Sequence, residues 1–140
     1  MSLDFLVLKL TQHVIKPLDI HFELSPLASA IAKLRTLAMR LSENEEISRN
    51  SDAKDQVNLL FRQGERYFLS QKGLPGRKWF KHVVQAPGIN LGYGSEVFPG
   101  LQEAIRAKDL DLAKSQQDEI ADLIFSLAEQ FGQFVSSSRE

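Results

Sequence analysis

Apolar residues recur along this chain in helical rhythm, and the rhythm is broken once, by a long stretch with no period. From about Leu3 to Ile15 the chain is apolar nearly all round (Leu3, Phe5, Leu6, Val7, Leu8, Leu10). This predicts a helix buried on more than one side, ending before Pro17 because the residue ahead of a proline is pushed out of the helical region. A short extended link, LDIHFEL, follows. Ser25 is placed to cap free amides and Pro26 suits a first helical position, so a second helix starts there. Leu27, Ile31, Leu34, Ala38 and Leu41 then recur at alternating steps of four and three, which puts them on one buried face. The polar run ENEEISRN closes it. Ser51 and Asp52 open a third helix, with Val57, Leu60, Phe61 and Phe68 on one stripe, and Gly73 is expected to end it as a C-cap. Pro99 opens a short fourth helix through Ile105, and the DLDL turn with Asp109 and Asp111 starts a fifth. That last helix carries Ile120, Leu123, Ile124, Leu127, Phe131, Phe134 and Val135, a stripe wide enough for two neighbours or a dimer seam. With no strand alternation longer than a few residues, the pattern predicts an all-α, four-helix-bundle-like fold forming a single domain over residues 1–140.

The break runs from Leu74 to Gly100 and reads LPGRKWFKHVVQAPGINLGYGSEVFPG. It holds the only Trp, Trp79, one of the two Tyr, Tyr93, and Pro75, Pro87 and Pro99. An aperiodic segment of this length inside a compact domain is usually functional or disordered, and its aromatics with the apolar HVV and EVF runs argue for order.

Composition narrows the function classes. A length of 140 residues, 43% of them hydrophobic and 25% charged, fits one globular domain with a real core. The apolar start is broken by Lys9 and Gln12, short of the ~20 residues a membrane span needs, so no direct membrane contact is expected. Seventeen basic against eighteen acidic residues leave a net charge of -1 with no basic face, which excludes a nucleic-acid partner from the expectation. The absence of cysteine removes disulfides and thiolate metal ligands.

Candidate chemistry is sparse. His13, His21 and His82 stand apart from one another without H-E-x-x-H company, so no metal site is expected. His82 reads as a hydrogen-bonded histidine that holds the break in place. The acidic pairs at Glu45/Glu46 and Asp109/Asp111 suit helix ends. No G-x-S-x-G elbow surrounds Ser95, and neither a G-x-G-x-x-G fingerprint nor a P-loop is formed by Gly88, Gly92, Gly94 and Gly100. Tyr93 differs from these. Flanked by Gly92 and Gly94, it is positioned either to present its hydroxyl or to plug the loop onto the core.

In the order LPGR, an aromatic pair, a basic residue, HVV, an AP turn, then a Gly/Tyr loop closing in FPG and a helix, residues 73–107 resemble the C-terminal helical module of the transferrin receptor and glutamate carboxypeptidase II family. The resemblance implies a non-catalytic homodimerisation domain that forms the C-terminal part of a larger protein. In the peptidase branch this loop carries a Lys-Tyr pair that leans onto the preceding catalytic domain and grips the substrate's terminal carboxylate. Here the Tyr is matched by Tyr93 and the Lys position is Gly92, which removes the cation on which a glutamate-like preference rests. The receptor branch has a shorter loop without this Tyr, so GYGSEVFPG is more similar to the peptidase side.

The chain by itself is accordingly expected to be no enzyme and to bind no zinc. The parent that the resemblance implies has one membrane span with this domain on the lumenal or extracellular side, and a two-zinc peptidase-like domain upstream as a second partner. Trp79, Phe80, His82 and Pro99 are expected to anchor the loop, and Leu123, Leu127, Phe131 and Phe134 to form the dimer face. Two rivals remain open: an independent helical adaptor that binds a partner helix through the last helix, and a small helical enzyme with Tyr93 and His82 as acid and base.

Overall fold

The computed structural model describes residues 22–89 and 94–137. The helix expected over Leu3 to Ile15, His13, His21, Gly92 and Tyr93 all lie outside the described residues. The elements are α1 (Ser25–Ser42), α2 (Glu45–Arg49), α3 (Ser51–Gln63), a 3₁₀ turn (Gly64–Phe68), β1 (Gln85–Pro87), β2 (Ser95–Val97), α4 (Pro99–Arg106) and α5 (Leu110–Ser137). The domain is all-α, with one small antiparallel sheet among the described residues.

Two helices carry the architecture. α1 buries Leu27, Ala30, Ile31, Leu34, Ala38 and Leu41, the predicted face with Ala30 added. α5, 28 residues and therefore ~42 Å long, packs along it and buries Ala113, Ile120, Ala121, Ile124, Leu127, Ala128, Phe131 and Val135 in the shared core. Alanines at the contact let two backbones approach closely while the leucines and Phe131 fill the space beside them. The start of α1 is capped from a distance. Gln117 on α5, 3% exposed, accepts from the Leu27 amide at 3.4 Å and donates to the Glu23 carbonyl at 3.0 Å. Ser25 therefore does not cap: its hydroxyl donates to Glu23 at 2.8 Å, and Leu24 occupies the N-cap position with no side-chain bond.

The run ENEEISRN does more than close a helix. Asn44 accepts from the Glu46 and Ile47 amides and starts α2, which buries Ile47. Asn50 then ends α2 through its own backbone amide and caps α3 by accepting from Asp52 and Ala53. α3 stops at Gln63, ten residues before the predicted C-cap. At Gly64 the chain tightens into the 3₁₀ turn under Leu127, where a Cβ on the glycine would lie 3.5 Å from that side chain, and the turn delivers Phe68 fully buried to the core. Gly73 is instead a loop residue at φ +76, its amide bonded to the Ser70 hydroxyl at 3.2 Å. Ser70, itself buried, donates to Glu119 of α5 and so pins this loop to the long helix.

The aperiodic break resolves into a turn, a hairpin and a helix start. Leu74 and Arg77 close a tight turn, the Arg77 amide donating to the Leu74 carbonyl at 3.0 Å. β1 and β2 pair in the register Gln85 with Val97, Ala86 with Glu96 and Pro87 with Ser95. Val83, Val84, Val97 and Phe98 enter the core at the hairpin's base. Phe98, in the left-handed region at φ 49, turns the chain into α4, and buried Pro99 is the first residue of that helix. Asp109 accepts from the Leu112 amide at 3.0 Å and caps α5.

Candidate functional site: a braced hairpin stem

A hairpin of three-residue strands is marginal by itself, and here the surrounding side chains fix it in place. Arg77 holds β1. Its guanidinium donates to the Pro87 carbonyl, pairs with Glu103 of α4 at 2.7 Å, and lies over the Phe80 ring at 5.3 Å. Both ends of this pair are largely buried, at 12% and 15% side-chain exposure, so the ion pair is poorly screened and strongly geometric. The Arg77 Nε is buried without a protein partner.

A second clamp holds β2. Arg106 of α4 pairs with Glu96 at 3.2 Å and also donates to Gln102 at 2.8 Å, while Gln102 donates to the Val97 carbonyl. The Phe98 amide donates to the Val84 carbonyl at 2.8 Å, and the Gly88 amide to the Gly94 carbonyl at 3.1 Å. That last bond sets the two ends between which the connection from Ile89 to Tyr93 runs. A Cβ on Gly88 would come within 2.9 Å of the Glu96 carboxyl carbon, so a larger residue there would displace the Glu96 side chain.

His82 stands at the root of β1. Its Nδ1 accepts from the Gln85 amide at 3.1 Å, and its ring meets Phe68 edge-on, 6.0 Å between centroids. Next to it Val83 donates to the Phe68 carbonyl at 2.9 Å. Burial pushes the imidazole below the usual histidine value, while the Glu65 carboxylate pulls the other way. Beside this ring is an open depression of about 600 Å³ lined by Glu65, His82, Gln85, Ala86, Pro87, Gly94 and Ser95.

The structure distributes the expected site residues unevenly. Phe80 is half-buried beneath Arg77, and Pro99 is buried at the start of α4. Trp79 requires a correction: it is 73% exposed and touches Phe80 at 6.1 Å between tilted rings, so it stands on the surface rather than anchoring the loop. The expected dimer face is corrected too. Leu127 and Phe131 are fully buried, Phe131 packed on Phe61 at 5.4 Å and Leu127 over Gly64, because the 3₁₀ turn, α3 and α1 already cover that side of α5. Leu123 and Phe134 are half-buried. The same burial leaves the adaptor reading only Leu123 and Phe134 of that face.

Glu103, Glu96 and Arg106, which the sequence does not single out, form the brace together with Arg77. Arg77 alone carries a signal, as the single charge in the LPGR turn. Among the described residues, no three His, Cys, Asp or Glu side chains gather where a metal ion could be held. No helix among them is long and apolar enough to cross a membrane.

The sequence matches those of known proteins. Residues 22–132, from just before α1 into the last turns of α5, match the model of the transferrin receptor-like dimerisation domain. Similar proteins include a probable glutamate carboxypeptidase of Arthroderma benhamiae, 30% identical over 101 residues that are 72% of this chain and 13% of that protein. A probable glutamate carboxypeptidase of Arabidopsis thaliana is 30% identical over 99 residues, 70% of this chain and 14% of the relative. An inactive zinc metalloprotease of Schizosaccharomyces pombe is 28% identical over 91 residues, 65% and 11% respectively. The chain thus spans roughly a seventh or less of the length of these relatives. With four-fifths of its length inside the family match, from the α1–α5 pair to the braced stem, this chain belongs to the transferrin receptor-like dimerisation domain family.

Proposed function

We propose that this chain is the self-pairing helical domain of a glutamate carboxypeptidase-like protein, and that its hairpin brings Tyr93 to the substrate cleft of an upstream zinc peptidase-like domain. The observation that carries the cleft role is the brace. Two ion pairs and a bond across Gly88 and Gly94 fix a hairpin that three-residue strands alone would leave marginal, and so define where the connection leaves the domain. Loops that bind substrate are held in this way by rigid scaffolds. On this reading the zinc ions are bound upstream with no ligand from this chain. The parent is a single-span membrane protein with this domain on its lumenal or extracellular side.

Gly92 favours a second reading of the parent. Without the cation of the family's Lys-Tyr pair, the cleft loses its charged grip on a terminal carboxylate, and one relative is itself described as inactive. The experiment that separates the two is Tyr93→Phe in the full-length parent, assayed on peptides with and without a terminal glutamate. The expected result is a fall in kcat/KM equivalent to ~1–3 kcal/mol, one hydrogen bond to a charged group, with the dimer unchanged. Unchanged kcat/KM removes Tyr93 from the cleft. A parent with no turnover on any peptide supports the inactive reading. Self-pairing is tested separately, by sedimentation of this chain across a concentration series, and a species that stays monomeric into the high micromolar range counts against it.

A further inference from the structure

We propose that His82 is a proton-operated latch at the root of the hairpin: neutral, it holds the first strand through the Gln85 amide, and protonated, it releases that amide and turns to Glu65. A backbone N–H only donates, so the contact at 3.1 Å requires a lone pair on Nδ1, which places the imidazole's single proton on Nε2. Adding a second proton converts Nδ1 into a donor that faces another donor. The bond cannot survive this change, and the Gln85 amide is the first of β1.

The alternative state has its partner in place. From the 3₁₀ turn Glu65 lines the same depression of about 600 Å³ as His82, which leaves the ring room to move and gives the imidazolium a carboxylate to meet. From the hairpin, Gln85 and Ser95 line it without titrating. On the segment of His82 itself, Lys81 points elsewhere, donating to the Gln71 carbonyl at 2.9 Å. Phe68 meets the ring at an angle, 6.0 Å between centroids, and is itself uncharged. Glu65 is accordingly the charge that acts on His82.

Burial sets the direction of the pH dependence. Because desolvation lowers the proton affinity of His82 in the folded chain, the unfolded chain is protonated first as pH falls. The contribution of the neutral latch is fully present above the ordinary histidine value of ~6.5 and is lost on acidification below it. The stem is therefore tight at neutral pH and loosened in an acidic compartment.

Amide hydrogen exchange by NMR on the full 140-residue chain tests this, at about pH 7.5 and about pH 5 and corrected for intrinsic exchange. Protection of the Gln85 amide is expected to fall roughly three- to tenfold at the lower pH, the loss of one hydrogen bond, while the Leu34 amide in α1 keeps its protection. In His82→Asn, whose Oδ1 takes the place of Nδ1 and does not titrate, the pH dependence is expected to vanish. Equal Gln85 protection at both pH values, or a pH effect that persists in His82→Asn, overturns the latch. If the variant does not fold, the imidazole ¹⁵N shifts of the unaltered chain decide. They must report the Nε2–H tautomer at neutral pH and titrate with the same midpoint as the Gln85 amide; the other tautomer, or separate midpoints, refutes the proposal.

Discussion

Replacing Phe131 by Ala distinguishes a core stripe from a dimer face. The side chain is fully buried and stacks at a tilt on Phe61, with centroids 5.4 Å apart. Removing the ring forfeits ~1.5–3 kcal/mol of transfer free energy. It also forfeits ~0.5–1.5 kcal/mol of the aromatic pair and leaves a cavity that α1 and the 3₁₀ turn close only in part. The total falls in the ~3–5 kcal/mol range of Phe-to-Ala changes in cores. A chain of 140 residues has a stability of ~7–21 kcal/mol at the usual per-residue values, so this is a large share of it. The thermal midpoint is expected to drop by about 10 °C or more. Urea unfolding followed by circular dichroism at two protein concentrations reads this directly. If Phe131 is core, the midpoint falls equally at both concentrations. A variant that unfolds where the parent chain does, yet sediments as a smaller species, refutes the burial argument and returns Phe131 to the interface.

Two glycines with the same backbone sign make an internal control. Gly73 has φ +76 and no room, a Cβ coming 2.7 Å from the Lys78 carbonyl carbon, whereas Gly76 has φ +70 and open space. Gly73→Ala is expected to cost well over ~2 kcal/mol and Gly76→Ala only the ~1–2 kcal/mol of left-handed strain, so equal denaturation midpoints would show that the Gly73 loop yields. Glu103→Gln leaves the Arg77 charge buried with half its support. It should cost ~2–4 kcal/mol, much of which Arg77→Met in the same chain recovers, as measured by a double-mutant cycle in urea; strict additivity would mean that the pair is not coupled.

The legible part of this fold is whatever repeats locally. The apolar steps of α1 and α5 recur every three or four residues, so both helices and their buried faces can be read directly. What a stripe cannot say is which surface covers it, and Leu127 and Phe131 look the same facing a second copy as facing Phe61. The end of α3 escapes the pattern because Gly64 reads as one weak residue inside a helix, while its real constraint is the Leu127 side chain above it. Ser25 looks like a cap because local chemistry favours it, but the amide it would serve is taken by Gln117, 90 positions away. The hairpin strands are three residues each, too short for alternation to register. In the site, His82 announces by its type that it needs a partner. The partner, a backbone amide, has no sequence signature.

Gln117's reach across the domain sets a schedule for its synthesis. The contact from Gln117 to Glu23 joins positions 94 residues apart, and the face of α1 is covered mainly by α5. A ribosome adding ~5–20 residues per second leaves roughly 5 to 20 s between making one partner and making the other. During that interval Leu27, Ile31, Leu34 and Leu41 lack the cover that α5 gives them, and that face of α1 is apolar surface on a nascent chain. The domain cannot close until α5 has cleared the exit tunnel, which makes a pause or truncation within α5 far more damaging to its solubility than one of equal length in α2 or α3.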